Sequence, residues 1–259
     1  MNNNKQIYEG KVMSSNNSGD FVILEYIDAY HVRIKFLQTG TIITAELGNL
    51  RKGAVKDPYY PSIYGIGYFG IGPYSSRVKN GKQTRCYKIW KEMIGRCYCS
   101  TVSEYKNYGG CGVTVCSEWL NFQNYAKWYY DNCYNETFVV DKDFLVKGNK
   151  IYEPNYCCFI PAEINSVITL RNTVRGSTPL GVRIKDNKII AQINYMGKKK
   201  HLGTFSTIEE AFAIYKKNKE ACLKEYANKY KDILPKQVYN AIYNLSLIHI
   251  SEPTRQEAI

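Results

Sequence analysis

Between Leu180 and Tyr230 the sequence alternates on a two-residue period three times and then changes to a helical one. This restricts the segment to a small antiparallel sheet backed by a helix. The runs LGVRI, KIIAQINYM and KHLGTF are the three strands. Asp186-Asn187 and the Gly197-Lys198 turn separate them, and both pairs suit tight hairpins. Thr207 precedes Glu209 and Glu210, an N-cap followed by acid in the first turn, and predicts a helix running to about Tyr230. Ala211, Ile214, Tyr215, Cys222 and Tyr226 supply the face that packs on the sheet. On the middle strand Ala191, Ile193 and Tyr195 point toward that helix, and Gln192 and Asn194 point away. Arg183 and Lys185 alternate out of the first strand.

The rest of the chain divides by pattern into two further segments. FVILEYI, HVRIKFL and TIITAEL are β-type runs, and the second sets Val32, Ile34 and Phe36 against Arg33 and Lys35. They predict an SH3-like β-barrel over residues 1–75, ending in a Pro- and Gly-rich arm. Residues 76–172 open with a helix, CYKIWKEMIGRCY, in which Ile89, Met93 and Cys97 share a face. A second helix follows from about Glu118 to Tyr130, then a strand-like FVVDKDFLV, the run YCCFIP and a helix near Pro161. Residues 173–234 hold the sheet and helix described above. The expected fold class is therefore α+β, multidomain, built from small modules. Residues 245–259, LSLIHISEPTRQEAI, resemble the translation of a sequencing-library adaptor and are set aside from the fold.

The charge balance narrows the function. Lys and Arg number 35 against 23 Asp and Glu, a net charge of +12, and this favours a polyanion partner. A membrane partner is disfavoured, because no apolar run approaches about eighteen residues and no helix is basic on one face and broadly apolar on the other. The first ten residues carry no apolar core of a secretory signal. Nine cysteines, an odd number, fit a reducing compartment, so the expected location is cytoplasmic.

Gly181-Val182-Arg183, Ala191-x-Ile193, Leu202-Gly203-x-Phe205-x-Thr207 and the following EEAFAIY resemble an AP2 (ERF-type) DNA-binding domain. In that family the three-stranded sheet lies in the major groove of double-stranded DNA and the helix packs behind it. The resemblance implies DNA contacts from Arg183, Lys185, Gln192, Asn194, Lys199 and His201. The residue types agree independently, because Arg, Gln and Asn make bidentate contacts with base edges. Ile189 and His201 stand where the family carries aromatic residues.

The middle segment reads W-x-x-M-x-x-R-C-Y from Trp90 and Y-G-G-x-G-V-x-V-C-x-E-W from Tyr108. V-D-K-D and G-N-K-x-Y-E-P-N-Y-C follow. This order is similar to phage-encoded relatives of HNH endonucleases, in which an AP2-like domain often follows. The resemblance implies a metal-dependent nuclease with magnesium held by Asp141 and Asn155. Lys142 stands where such nucleases place the histidine that activates water. No histidine lies between His31 and His201. A lysine acts as a base only once its ammonium is neutralised, which the flanking Asp141 and Asp143 oppose. These two aspartates form either a carboxylate pair for magnesium or a surface turn of alternating charge.

Cys97, Cys116 and Cys157 fall at cysteines common in the resembling group. They read either as ligands of a structural zinc or, given their irregular spacing and the lack of a local histidine, as buried core thiols. Two functions are compatible with all of this. One is an HNH homing-endonuclease-like protein that selects its target with the AP2-like sheet. The other is a catalytically inactive, DNA-binding regulatory or accessory protein.

Overall fold

The computed structural model describes residues 3–168, 178–195 and 197–245. Residues 246–259, nearly all of the adaptor-like tail, and the expected boundary at 172/173 lie outside the described residues. The chain is mixed α+β with several small sheets. It packs as two compact units, one of Met1–Asn132 and Lys150–Asn155, the other of Cys133–Asn149 and Tyr156–Ile259. No described helix is long and apolar enough to cross a membrane.

The first unit opens with α1 (Asn3–Tyr8). A meander follows, of β1 (Val12–Ser15), β2 (Gly19–Tyr26), β3 (Val32–Phe36) and β4 (Ile42–Ala45), each strand antiparallel to the next. The alternation of β3 is realised as read, with Val32, Ile34 and Phe36 fully buried and Arg33 and Lys35 exposed. On β2 a bulge between Ile23 and Glu25 changes the phase. Leu24 is left exposed, and Tyr26 rather than Glu25 turns to the core. The expected SH3-like barrel is not closed. β1 and β4 remain the two edges, because β4 spans four residues before the chain turns at Glu46 into α2 (Leu47–Arg51). Leu47 and Leu50 complete that sheet's core.

The Thr84 side chain accepts the Tyr87 N–H and starts α3 (Arg85–Tyr98). Cys86, Trp90, Met93 and Cys97 form its buried stripe, with Ile89 only half-buried beside it. Trp90 donates its indole N–H to the Trp119 carbonyl at 2.7 Å and packs on Phe122 and Tyr87. The short β5 (Thr114–Val115) precedes α4 (Phe122–Asn132). The second helix therefore begins later than the sequence predicts. Asn121 is extended and bridges to Tyr68, which separates α4 from the turn of 3₁₀ helix at Ser117–Leu120.

The chain then enters the second unit with β6 (Phe138–Asp141). It returns to the first with β7 (Ile151–Tyr152), parallel to β5, and passes again to the second with β8 (Cys158–Pro161), antiparallel to β6. α5 (Ala162–Ile168) follows directly. The last sheet has the order β11-β10-β9, from β9 (Val182–Lys185), β10 (Lys188–Tyr195) and β11 (Lys198–Phe205). Behind it lies α6 (Ile208–Lys229). Its capping box joins the Thr207 hydroxyl to the Glu210 N–H and the Glu210 carboxylate to the Thr207 N–H. α7 (Lys236–Tyr243) packs on α6, burying Val238 and Ile242.

Candidate nucleic-acid interface

β9 and β10 are joined at Asp186 and Asn187, whose φ angles of 50° and 57° are those of a type I′ hairpin. That turn fixes the register: Lys188 opposite Lys185, Ile190 opposite Arg183 and Ala191 opposite Val182. The helix side takes Val182, Ile189 and Ala191, packed with Ala211, Ile208 and Phe212 of α6. The other side takes Arg183, Lys185, Lys188, Ile190, Gln192 and Asn194.

On β11 a simple alternation running back from Phe205 would turn His201 and Lys199 toward the helix. A bulge prevents this. Ala191 pairs with Gly203 but Gln192 pairs with His201, so Leu202 is the extra residue and packs against the core. His201 thus stands beside Gln192, and Lys199 beside Asn194. All six residues expected to contact DNA lie on one face. Arg183, Lys185, Asn194, Lys199 and His201 are exposed and Gln192 is half-buried. No residue of the three strands is acidic. Lys188 belongs to the same face and was missed by the sequence reading, although its even spacing from Gln192 and Asn194 carries the signal.

Asp141 ends β6 and turns the chain. Its carboxylate Oδ1 accepts the N–H groups of Asp143 at 2.7 Å and Phe144 at 2.8 Å. Burial pushes its pKa above the ordinary carboxylate value, only partly opposed by those two N–H groups and by Lys142. The Lys142 side chain is itself buried. Its ammonium donates to the Asn149 carbonyl at 2.7 Å and to the Asp143 carboxylate, and Asn149 returns a hydrogen bond from Nδ2 to the Lys142 carbonyl at 2.9 Å. These contacts use the amine as a donor and close the loop between residues 142 and 149. Asn155 lies in an exposed turn of the first unit, whereas Asp141 and Lys142 belong to the second.

The carboxylate at Asp141 is committed to its turn and the one at Asp143 to Lys142. Among the described residues no group of three or more His, Cys, Asp or Glu side chains stands close enough to hold a metal ion. Cys97 is buried on α3 and Cys116 half-buried ahead of the 3₁₀ turn, whereas Cys157 is buried in the other unit. Burial pushes the Cys116 thiol upward, which opposes the thiolate form a metal requires.

The raised pKa of Asp141 makes a prediction of definite sign. A carboxyl whose folded pKa lies above its unfolded value holds more protons when folded, so its contribution to stability falls as pH rises through that interval. Asp141→Asn keeps an oxygen for both N–H groups and removes the buried charge. It is expected to melt above the parent at neutral pH, the gap closing below about 3.8, the ordinary value. A lower melting temperature at neutral pH would show that the charge itself stabilises the turn.

No family model matches this sequence, and no curated protein or solved structure matches it either.

Proposed function

We propose that the chain is a double-stranded DNA-binding protein whose outward face of β9, β10 and β11 enters the major groove. One observation carries the reading. The register and the Leu202 bulge gather Arg183, Lys185, Lys188, Gln192, Asn194, Lys199 and His201 on a single face of three strands that hold no acid. Cations on such a face neutralise phosphates and release counterions, while Arg183, Gln192 and Asn194 are the side chains able to read base edges. A three-stranded sheet backed by a helix is rigid enough to hold that pattern.

Of the two readings open to the sequence, the accessory or regulatory DNA-binding protein is favoured over the HNH-type endonuclease. The support is the Lys142–Asn149 tie, which uses the amine at the general-base position as a structural donor. The β6–β8 segment then serves as a scaffold.

Incubation of the purified chain with mixed duplex DNA, with and without magnesium or manganese and across a salt series, tests both statements. The expected result is retardation that weakens steeply as salt rises, with no metal-dependent nicking. Absence of retardation at low salt defeats the DNA-binding reading. Nicking that is lost in Asp141→Ala restores the endonuclease.

A further inference from the structure

The fifteen residues from Arg77 to Lys91 carry six cations and no carboxylate. Charge of one sign repels itself, and a surface built for solubility alone intersperses the two signs. The first half of this stretch is a fixed hairpin. Its loop is Lys79-Asn80-Gly81, closed by the Val78 N–H on the Lys82 carbonyl at 2.9 Å and the Gly81 N–H on the Val78 carbonyl at 2.8 Å. Gly81, at φ 80°, is the left-handed residue that a three-residue hairpin loop needs. Arg77 bridges to Gln83, and its Nη1 donates to the Gly81 carbonyl at 2.6 Å. Asn80 Oδ1 accepts the Lys82 N–H at 3.1 Å, and the Thr84 N–H reaches the Ser76 carbonyl at 2.9 Å. Every residue from Arg77 to Gln83 is exposed.

The second half is the start of α3. A helix favours acid in its first turn, as α6 has in Glu209 and Glu210. α3 has no acid there and begins with Arg85. Lys88 follows one turn on, exposed. Cations in these places oppose the helix dipole, so they do not serve the stability of the helix itself. Among the described residues Arg77, Lys79 and Lys82 form no ion pair, and the exposed Lys88–Glu92 pair is long, at 3.9 Å. A hairpin held by its own hydrogen bonds also loses little freedom when it meets a partner. The partner that fits is a phosphate backbone, which is closely and uniformly negative and takes lysines without regard to base sequence.

We infer that the hairpin of residues 77–83 and the start of α3 form a second contact with duplex DNA, one that grips phosphates and reads no bases. The inference shares its ligand with the sheet reading and none of its residues. Choice of sequence then belongs to the last sheet, and the first unit adds affinity that is blind to sequence.

The test uses the full chain and three combined variants. The first is Lys79→Ala, Lys82→Ala and Lys88→Ala; the second makes the same charge change at Lys11, Lys52 and Lys56; the third is Arg183→Ala, Lys185→Ala and Lys199→Ala. Retardation of one duplex across a salt series is read beside hydroxyl-radical footprints and melting curves. The hairpin variant is expected to lose at least about tenfold in affinity, with the salt slope lower by about three. It should also leave open a tract of DNA that the parent protects. All three of its lysines are exposed, so melting is expected to match the parent. Lysines away from the duplex act only through a field that salt screens, so the Lys11, Lys52 and Lys56 variant is expected to lose less than about threefold. Lys79→Arg, Lys82→Arg and Lys88→Arg combined should keep the parent's affinity, and a loss equal to that of the alanines would overturn the phosphate assignment. A hairpin variant that merely matches the Lys11, Lys52 and Lys56 control overturns the inference and leaves the sheet reading intact. A sheet variant that binds like the parent, beside a hairpin variant that does not, removes the sheet reading and keeps this one. A parent that retards no duplex at low salt removes both.

Discussion

Arg183→Ala, Lys185→Ala and Lys199→Ala combined are expected to weaken duplex binding at least about a hundredfold at low salt, and to lower the salt slope by about two for the two lysines. The three side chains are exposed, so their truncation barely touches stability, on the order of 0.5 kcal/mol each at most. The proper control changes the net charge equally elsewhere. Lys11, Lys52 and Lys56 are exposed residues of the first unit, and their joint replacement by alanine is expected to cost far less affinity. Retardation of one duplex by both variants, with melting curves beside it, makes the comparison. Equal losses would mean that binding reads total charge and that the face of β9, β10 and β11 has no special part.

Gly181→Ala is the second large effect, and it concerns stability. Gly181 has φ 77°, and a Cβ placed there would lie 2.0 Å from the ring of Tyr215, which is itself 4% exposed. A left-handed residue other than glycine costs about 1–2 kcal/mol, and forcing a methyl group into a packed ring adds about 1–3. A loss of about 2–5 kcal/mol follows, read from denaturant unfolding and from exchange of the β10 amides. The two causes separate in a cycle. In a Tyr215→Ala background the clash is gone, so Gly181→Ala should then cost only the backbone share. An undiminished cost in that background would show that the ring plays no part.

The elements of the last sheet were legible because their signals are local. Period-two runs, the Asp186-Asn187 pair and Thr207 with Glu210 each act within a few residues, and each appears in the structure. What was not legible depends on partners further away. The bulge that turns His201 and Lys199 outward is set by pairing between β10 and β11 and by the packing of Leu202, which no window on β11 alone contains. The bulge at Leu24 has the same origin, and it moved Tyr26 into the first core. The tie from Lys142 to Asn149 needs a loop to close over seven residues, so a motif comparison registers only that a histidine is missing. α7 escaped notice because its short apolar stripe, Val238 and Ile242, acquires meaning only against α6. The expectation of a closed barrel failed on length, since four residues of β4 leave too little strand to curl round to β1.

The chain passes between its two units three times, after Asn132, after Asn149 and after Asn155. β7 must therefore be threaded in from the second unit's stretch of sequence before β5 has a partner. Any truncation between residues 133 and 150 removes a strand from the unit it leaves behind. The sheet of β9, β10 and β11, by contrast, lies with its helices in one uninterrupted stretch. Lys229 and Tyr230 tie it to α5 by hydrogen bonds that both end on the carboxylate of Glu163. Recombination is thus asymmetric along this sequence. A crossover just ahead of β9 exchanges a sheet together with the helix that backs it, whereas one inside the 133–155 region breaks two structures at once, so the last sheet can be traded while the rest of the framework is inherited whole.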